Sequence, residues 1–440
     1  MSRRRIPVIL LAVLLLLSLS LAIANSEGVE EPGQYPPLIL PQASHVLFVL
    51  PHPDDETLPS GGLVSDLAKQ GVKATFLYLT NGESFQWAAQ EELQKFLLSP
   101  QDYLEFGILR QQEPRAALAE LGYPKAEILF LGYPDKSLEK IWLEHWSAQN
   151  PLVSPELRTS ISPYENSFHP HQAYAGENIL EDLKEVLRQQ KPDLIFAPTA
   201  LDSHADHWAT YGFLSLALEE MRLREGTPPP PTFLYLVHRG DWPNKHGKEL
   251  DKQLPPPKAM RQIGTWMVYP LSPEAQAAKE RAITCYRTQR HLGESYIYSF
   301  IRANELFLRL DTPPLDGKAR VLEPTEDTFW RKVLGGADFS ALTFAWDQGL
   351  RTEIEMRTGW PTWGSTDLHL ALVYQDHTDF LAASRSDLST LPSGSSLVRE
   401  GPLFRLTIPL AKRPQAILAS FASYAPFWVD RTAIWLLGTP

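Results

Sequence analysis

Between His45 and Val237 the chain alternates short, wholly apolar runs with longer stretches whose apolar residues recur every third or fourth position. The short runs are HVLFVL (His45–Leu50), KATFLYL (Lys73–Leu79), AEILFLG (Ala126–Gly132), DLIFAP (Asp193–Pro198) and TFLYLV (Thr232–Val237). Rich in β-branched and aromatic residues and too short for helices, they predict strands. Between them, GLVSDLAKQG, EFGILRQQEPRAALAELG, ENILEDLKEVLRQQ and HWATYGFLSLALEEMRLREG predict helices, several closed by glycine. Apolar strands alternating with helices imply a mostly parallel sheet with helices on both faces, a Rossmann-like α/β fold. A further helix is predicted in SPEAQAAKERAITCYRTQ, with Ser272 as N-cap and Pro273 in its first turn. Beyond about Leu310 the helical period disappears. LRTEIEMRT, LHLALVYQD, LFRLTIPL, ILASFASYA and TAIWLLG, separated by Gly, Pro, Ser and Asp, predict a small all-β, sandwich-like domain. The expected division is a linker over 26–44, an α/β domain over 45–310 and a β-rich domain over 311–440.

Each apolar run opens onto ionisable residues: PHPDDE, TNGE, YPD, TALDSHADH and HRGDW. In a parallel sheet the ligand crevice lies beyond the carboxyl ends of the strands, so these loops share one rim. HPDD alone is often only a turn, and HxDH alone only a solvated helix start. Together on one sheet edge they read as a site. His52, Asp55 and His207 offer two imidazoles and a carboxylate, a three-ligand set that leaves a coordination position open, as in catalytic zinc sites. The expected cofactor is Zn2+, with another divalent ion such as Fe2+ as the alternative. Asp54, turned away from its neighbour's metal, is the candidate general base. His204 is the candidate donor to a developing oxyanion, with Asp206 setting its pKa. Asp202 is placed to orient a ligand histidine. His238, with Arg239 and Asp241, ends the fifth run and is a candidate substrate contact.

Composition narrows the partners. A formal charge of −11 supplies no cationic field, so no nucleic-acid partner is expected. Cys285 is the only cysteine, which excludes an internal disulfide and a Cys-rich zinc site, and it reads as a small buried helical residue. At the N-terminus Arg3, Arg4 and Arg5 precede the uncharged run Ile6–Ala24, and Ala22–Ala24 fits a small-residue cleavage pattern. Residues 1–25 therefore read as a signal peptide or a retained anchor. The expected location is outside the cytoplasm: periplasmic, extracellular, or membrane-associated through residues 6–24.

PHPDDE together with DSHADH resembles the PIG-L (LmbE-like) zinc-dependent N-deacetylases. So do TNGE, Arg110 with Glu113 in RQQE, ALAELG, FLGYPD ending at Asp135, YAGENILEDL, and Lys279, Tyr286 and Gln289 in KERAITCYRTQ, all in the same order. The resemblance runs from about His45 to Leu308. It implies zinc on His52, Asp55 and His207, Asp54 as base, His204 at the tetrahedral intermediate with Asp206 beside it, and Arg110 and Asp135 near the sugar. The implied reaction removes an acetyl group from an N-acetylglucosaminyl compound, and the implied partner is an N-acetylated sugar or glycolipid. The N-terminal segment, the stretch KIWLEHWSAQNPLVSPELRTSISPYENSFHPHQ and the β-rich end depart from the small members of that family.

Two rival functions are weighed. Hydrolysis of an ester or phosphoester meets an acidic rim in which only Arg110 and Arg239 are evident anion partners. A non-catalytic glycan-binding surface protein has no need of four intact residues at His52, Asp54, Asp55 and His207. His169 and His171, in FHPHQ, read as surface residues, and Trp346, Trp360 and Trp363 read as packing residues of the β-rich end rather than sugar platforms.

Overall fold

The computed structural model describes residues 35–243, 247–290, 294–315, 317–324, 338–347, 349–357, 365–384, 387–425 and 428–438. The N-terminal apolar run and Trp360 and Trp363 lie outside the described residues. Among the described residues no helix is long and apolar enough to cross a membrane.

The five expected strands form within a residue or two of their predicted limits: β1 (His45–Leu50), β2 (Lys73–Thr80), β3 (Glu127–Tyr133), β4 (Leu194–Pro198) and β5 (Thr232–Tyr235). Two more, β6 (Thr265–Pro270) and β7 (Asn304–Arg309), extend the sheet antiparallel at one edge. The strand order is β3-β2-β1-β4-β5-β7-β6, with β1 to β5 parallel. Both faces of β1 are buried: Leu47 and Val49 join one apolar cluster, and Val46, Phe48 and Leu50 the other. That two-sided burial is why its sequence is apolar without alternation.

The helices are α1 (Gly61–Lys69), α2 (Gln86–Glu92), α3 (Pro100–Arg110), α4 (Glu113–Glu120), α5 (Leu138–Glu144), α6 (Gly176–Gln190), α7 (Ala205–Arg224) and α8 (Pro273–Thr284), with two short turns at Arg287–Arg290 and Glu294–Tyr298. The stretch read as one helix through EFGILRQQEPRAALAELG is two. It breaks at Gln111 and Gln112, because Pro114 has no N–H for an internal helical bond and takes a first-turn position instead. Ser272 caps α8 as expected, its hydroxyl accepting from the Ala275 N–H at 3.1 Å. That helix stops at Thr284. Cys285 is its half-buried C-cap and not the buried residue expected.

The remaining strands are β8 (Lys318–Leu322), β9 (Phe339–Trp346), β10 (Leu350–Met356), β11 (Ser365–Val373), β12 (Thr378–Ala383), β13 (Ser396–Glu400), β14 (Leu403–Ile408), β15 (Ala416–Ala425), β16 (Trp428–Arg431) and β17 (Trp435–Gly438). They make two antiparallel sheets, β13-β14-β10-β9-β8 and β12-β11-β15-β16, with β17 also on β15. Phe344 and Phe421 meet between them with ring centroids 6.4 Å apart, so the sheets face each other as a sandwich.

The sandwich does not hang free. One apolar cluster runs from Leu47 and Val49 through Trp208 and Phe213 of α7 to Leu368, Phe421 and Ile434. Trp208 is 1% exposed, its indole N–H donates to Thr432 O at 3.0 Å, and Arg431 lies 4.4 Å above its ring. A Cβ on Gly212 would fall 2.5 Å from Ile434 Cδ1, so the missing side chain is what lets the sandwich approach α7. Trp208→Ala should therefore destabilise the fold by about 3–5 kcal/mol, as is usual when a large buried aromatic site is emptied. Chemical denaturation followed by circular dichroism measures it.

Candidate active site

The crevice forms where β1 is flanked by β2 on one side and β4 on the other, so their following loops diverge to opposite faces. The loop after β1 folds back on itself: the His52 N–H donates to Asp55 Oδ2 at 2.9 Å, and the Thr57 and Leu58 N–H groups both donate to Asp54 O at 3.0 Å. Asp54 holds φ at 128°, a conformation that costs a residue with a Cβ. The loop after β4 ends at His204, the N-cap of α7, whose Nδ1 accepts from the Asp206 N–H at 3.2 Å.

These two loops bring the expected residues together. Asp55 Oδ2 stands 3.4 Å from His52 Nδ1 and 3.3 Å from His207 Nε2. One nitrogen each of His52, His204 and His207 lies within 4.8 Å of the others, and one atom each of His52, Asp135 and Asp206 does so too. The ring of His238 is 5.0 Å from that of His207 and 5.2 Å from that of His204. His169 and His171 pair instead with Asp182 and Glu165.

Backbone amides from the other loops hold the acids in place. Asp202 takes the N–H groups of His204, Val237 and His238 at 2.8, 3.0 and 2.9 Å, and its Oδ2 lies 3.2 Å from His207 Nδ1. It backs His207 as expected. Asp206 does not reach the His204 ring with its carboxylate. That group accepts from the N–H groups of Lys136 and Leu138 at 2.7 and 3.0 Å and lies 3.1 Å from His52 Nε2, because the helix start aims it across the loop after β3.

Two expected sugar contacts are also differently placed. Asp135 is 3% exposed, accepts from the Ser84 N–H at 2.9 Å and lies 3.2 Å from His52 Nε2, so it orients that ring. Arg110 is equally buried: it donates to Gly82 O at 2.8 Å and Pro53 O at 2.7 Å, and lies 3.5 Å from Asp54 Oδ2. Gly82 makes room for it, since a Cβ there would sit 1.8 Å from Arg110 Nη1.

Several groups escape a reading of the sequence. Glu56 is buried beneath Asp55 and accepts from Tyr78 OH at 2.8 Å and from Thr57 and Tyr286. Tyr296 donates to Val237 O at 2.7 Å and lies 3.2 Å from His238 Nδ1. Tyr296 carries no local sequence pattern that marks it for this crevice. Trp346 is half-buried beneath Arg413, 6.0 Å away.

Electrostatics point to a cation. Burial opposes a charged His207, but Asp55 and Asp202 outweigh it and push the ring up to about 10. Burial likewise opposes His52, and hydrogen bonds with Asp135, Asp206 and Asp55 raise it well above its usual value. Burial, then the Asp55 charge, raises Asp54 well above the carboxylate range, while Asp55, despite its burial, is held far below it by His207 and His52. Glu83 is pushed up to about 8 by burial and by Asp135. His204 is driven well below 6.5 by burial and by the charges of His52, His207 and His238, so it is neutral. Both ring nitrogens of His207 are buried without a hydrogen bond, the nearby carboxylates standing at angles that make none. Orphaned imidazole nitrogens among carboxylates fit a divalent metal, and His52, Asp55 and His207 are among the side chains that could hold it.

The fold and the site define a class: an α/β sheet protein with a His and carboxylate metal group at a topological switch point. Residues 47–218 match the family model described as PIG-L: GlcNAc-PI de-N-acetylase. The chain therefore carries a domain of the PIG-L family. Over 167 residues it is 42% identical to a 1D-myo-inositol 2-acetamido-2-deoxy-alpha-D-glucopyranoside deacetylase of Segniliparus rotundus, covering 37% of this chain and 46% of that protein. Over 170 residues it is 31% identical to the Corynebacterium urealyticum enzyme of the same name, covering 37% and 44%. The chain spans about half the length of the curated relatives it matches. Among solved structures it is similar to an N,N'-diacetylchitobiose deacetylase from Pyrococcus horikoshii, with a TM-score of 0.39 at 20% identity, covering 61% of this chain and 84% of that one.

Metal and proton should compete here. Because the metal-free His207 and His52 rings sit above their usual pKa, a metal must displace their protons, so affinity should rise with pH. The expected slope is about tenfold per unit for each ring displaced, until the pH passes the rings' own values. Calorimetric zinc titration of chelator-treated protein in two buffers of different ionisation heat counts the protons. A count of zero would remove these imidazoles from the ligand set.

Proposed function

We propose that this protein is a Zn2+-dependent N-deacetylase that hydrolyses the acetamide of an N-acetylglucosamine-containing glycoconjugate. The observation that carries the reading is the divergence of two adjacent carboxylates. Asp55 turns to two imidazoles, while Asp54, held in a strained turn beside Arg110, keeps a partly accessible carboxylate aimed elsewhere. That is the arrangement a ligand and a base require. A divalent metal held by His52, Asp55 and His207 supplies Lewis acidity to the amide carbonyl and the attacking water.

The chain's own residues do the rest. Asp54 takes a proton from the attacking water and returns it to the amide nitrogen as the C–N bond breaks, giving acetate and a free amine. Its raised pKa suits both halves of that transfer. His204 Nδ1 accepts a backbone N–H, so the neutral ring carries its proton on Nε2 and can donate to the developing oxyanion. His238 borders the same space and is the residue best placed to meet substrate. The similarity to enzymes that act on an acetamido-glucopyranoside supports the sugar class. The arginine-led apolar run Ile6–Ala24 supports action outside the cytoplasm, on a glycolipid, envelope polysaccharide or glycoside.

The test is free-amine release by the zinc-loaded protein from N-acetylglucosaminyl lipids, oligosaccharides and glycosides. Asp54→Asn should keep its zinc and lose about 10²–10⁴-fold in kcat. Near-normal turnover in that variant would remove Asp54 from the mechanism, and no release from any member of the set would count against the reaction. Arg110→Lys should lower kcat by about a hundredfold with little change in KM, because the substitution misplaces Asp54 and leaves substrate binding alone. A rise in KM alone would return Arg110 to the sugar.

A further inference from the structure

Beside the metal group lies a cleft of about 630 Å³ that neither the family match nor the proposed chemistry uses. One wall is α/β: Glu139 and Glu144 of α5, the Leu201–Ser203 loop and Arg239. The other is the sandwich sheet, through Asp367 and His369 of β11, Ser420 of β15 and Arg431 of β16. Asp202 belongs to the cleft and to the catalytic region at once, since it holds the His204 N–H and backs His207.

The walls are matched to each other. Arg431 pairs with Glu139 and covers Trp208. His369 is half-buried in the wall, and the acids acting on it are Asp367 from its own strand and Glu144 and Glu139 from the facing helix. The lining thus sets carboxylates, an imidazole, hydroxyls and guanidinium groups from both walls among apolar residues such as Leu143, Leu201 and Phe421. Carboxylates outnumber cations, which disfavours a phosphorylated or polyanionic ligand. Hydrogen-bonding groups of both kinds among apolar faces are what a neutral polyhydroxylated chain, with its hydroxyls and C–H faces, needs. Clefts of roughly 300–1,000 Å³ at domain junctions are the usual size and place of small-ligand sites, which leaves room for more than one sugar ring.

We propose that this cleft is a saccharide subsite that holds the sugar units adjoining the acetamido sugar, so that the substrate is an oligosaccharide rather than a single sugar. The proposal rests on the deacetylase reading. It gives the sandwich a role in substrate choice, because half of the subsite belongs to it.

Binding decides it without turnover. Calorimetry on the chelator-treated full chain should find a β-1,4- or β-1,6-linked N-acetylglucosamine tetramer bound at least about tenfold tighter than the monosaccharide, or about 1.4 kcal/mol. Ala382→Trp, an exposed lining position of β12, should bring the tetramer down to the monosaccharide's affinity. Glu144→Ala, at an exposed helix end, gives a second variant should the first fail to fold, and should remove most of the same advantage. Equal affinity for tetramer and monosaccharide, or an advantage that survives both substitutions, would overturn the subsite. Amine release from the monosaccharide by the metal-loaded protein reports on the deacetylase reading alone, so the two can fail separately.

Discussion

The structure is organised around a charge problem. Asp55, Asp135, Asp202 and Asp206 are all buried in one crevice. Like charges in so small a dry space repel by several kcal/mol unless something positive stands among them. Without a metal, the positive charge is carried by His52 and His207. A bound divalent ion would take over that role. The backbone supplies the rest, since amides from the loops after β1, β2, β3, β4 and β5 each donate to one of these carboxylates. This explains why every loop on the rim ends in tight turns rather than in flexible polar chain: each must present an N–H at a fixed point.

A second constraint follows from the first. If Asp55 is committed to the imidazoles, its neighbour Asp54 must turn its carboxylate elsewhere within the same tight loop. The φ of 128° accomplishes it at a steric cost, and Arg110 offsets part of that cost by gripping Pro53 O. The guanidinium has Nη1 and Nη2 bonded to the Gly82 and Pro53 carbonyls before any substrate arrives. A residue that looks from sequence like a free cation beside a sugar is here part of the loop's frame.

The fold is legible because its signal is local. A strand buried on both faces must be apolar at every position, and five such runs stand out with their ends nearly right. The antiparallel strands β6 and β7 escape for the opposite reason. β6 is only half buried, and β7 carries Glu305, a carboxylate that is tolerated inside because Lys279 Nζ lies 2.7 Å away and the Gly62 and Leu63 N–H groups donate to it. In the site, the residue types that form the metal group are legible from spacing, since His52 and Asp55, and His204 and His207, sit three apart on loops that must meet at one sheet edge. Which acid serves which histidine is not. Asp206 goes to His52, 154 positions away, and Asp135 joins it there. Such pairings depend on where the loop after β3 crosses the crevice, which no spacing records.

The first turns of α7 tie this site to the sandwich. Successive helical residues point about 100° apart, so His207 and Trp208, adjacent in sequence, face different neighbours. His207 enters the crevice against Asp55 and Asp202, while Trp208 is sealed beneath Arg431 and bonded to Thr432. A shift of the sandwich that moved Trp208 would rotate or slide the same turn and carry His207 with it. A ring that must stay within a fraction of an ångström of its partners gains from such bracing, because a helix start is otherwise the part of the helix most prone to fray. The β-rich end is therefore a mechanical support of the metal group, whatever else it contributes.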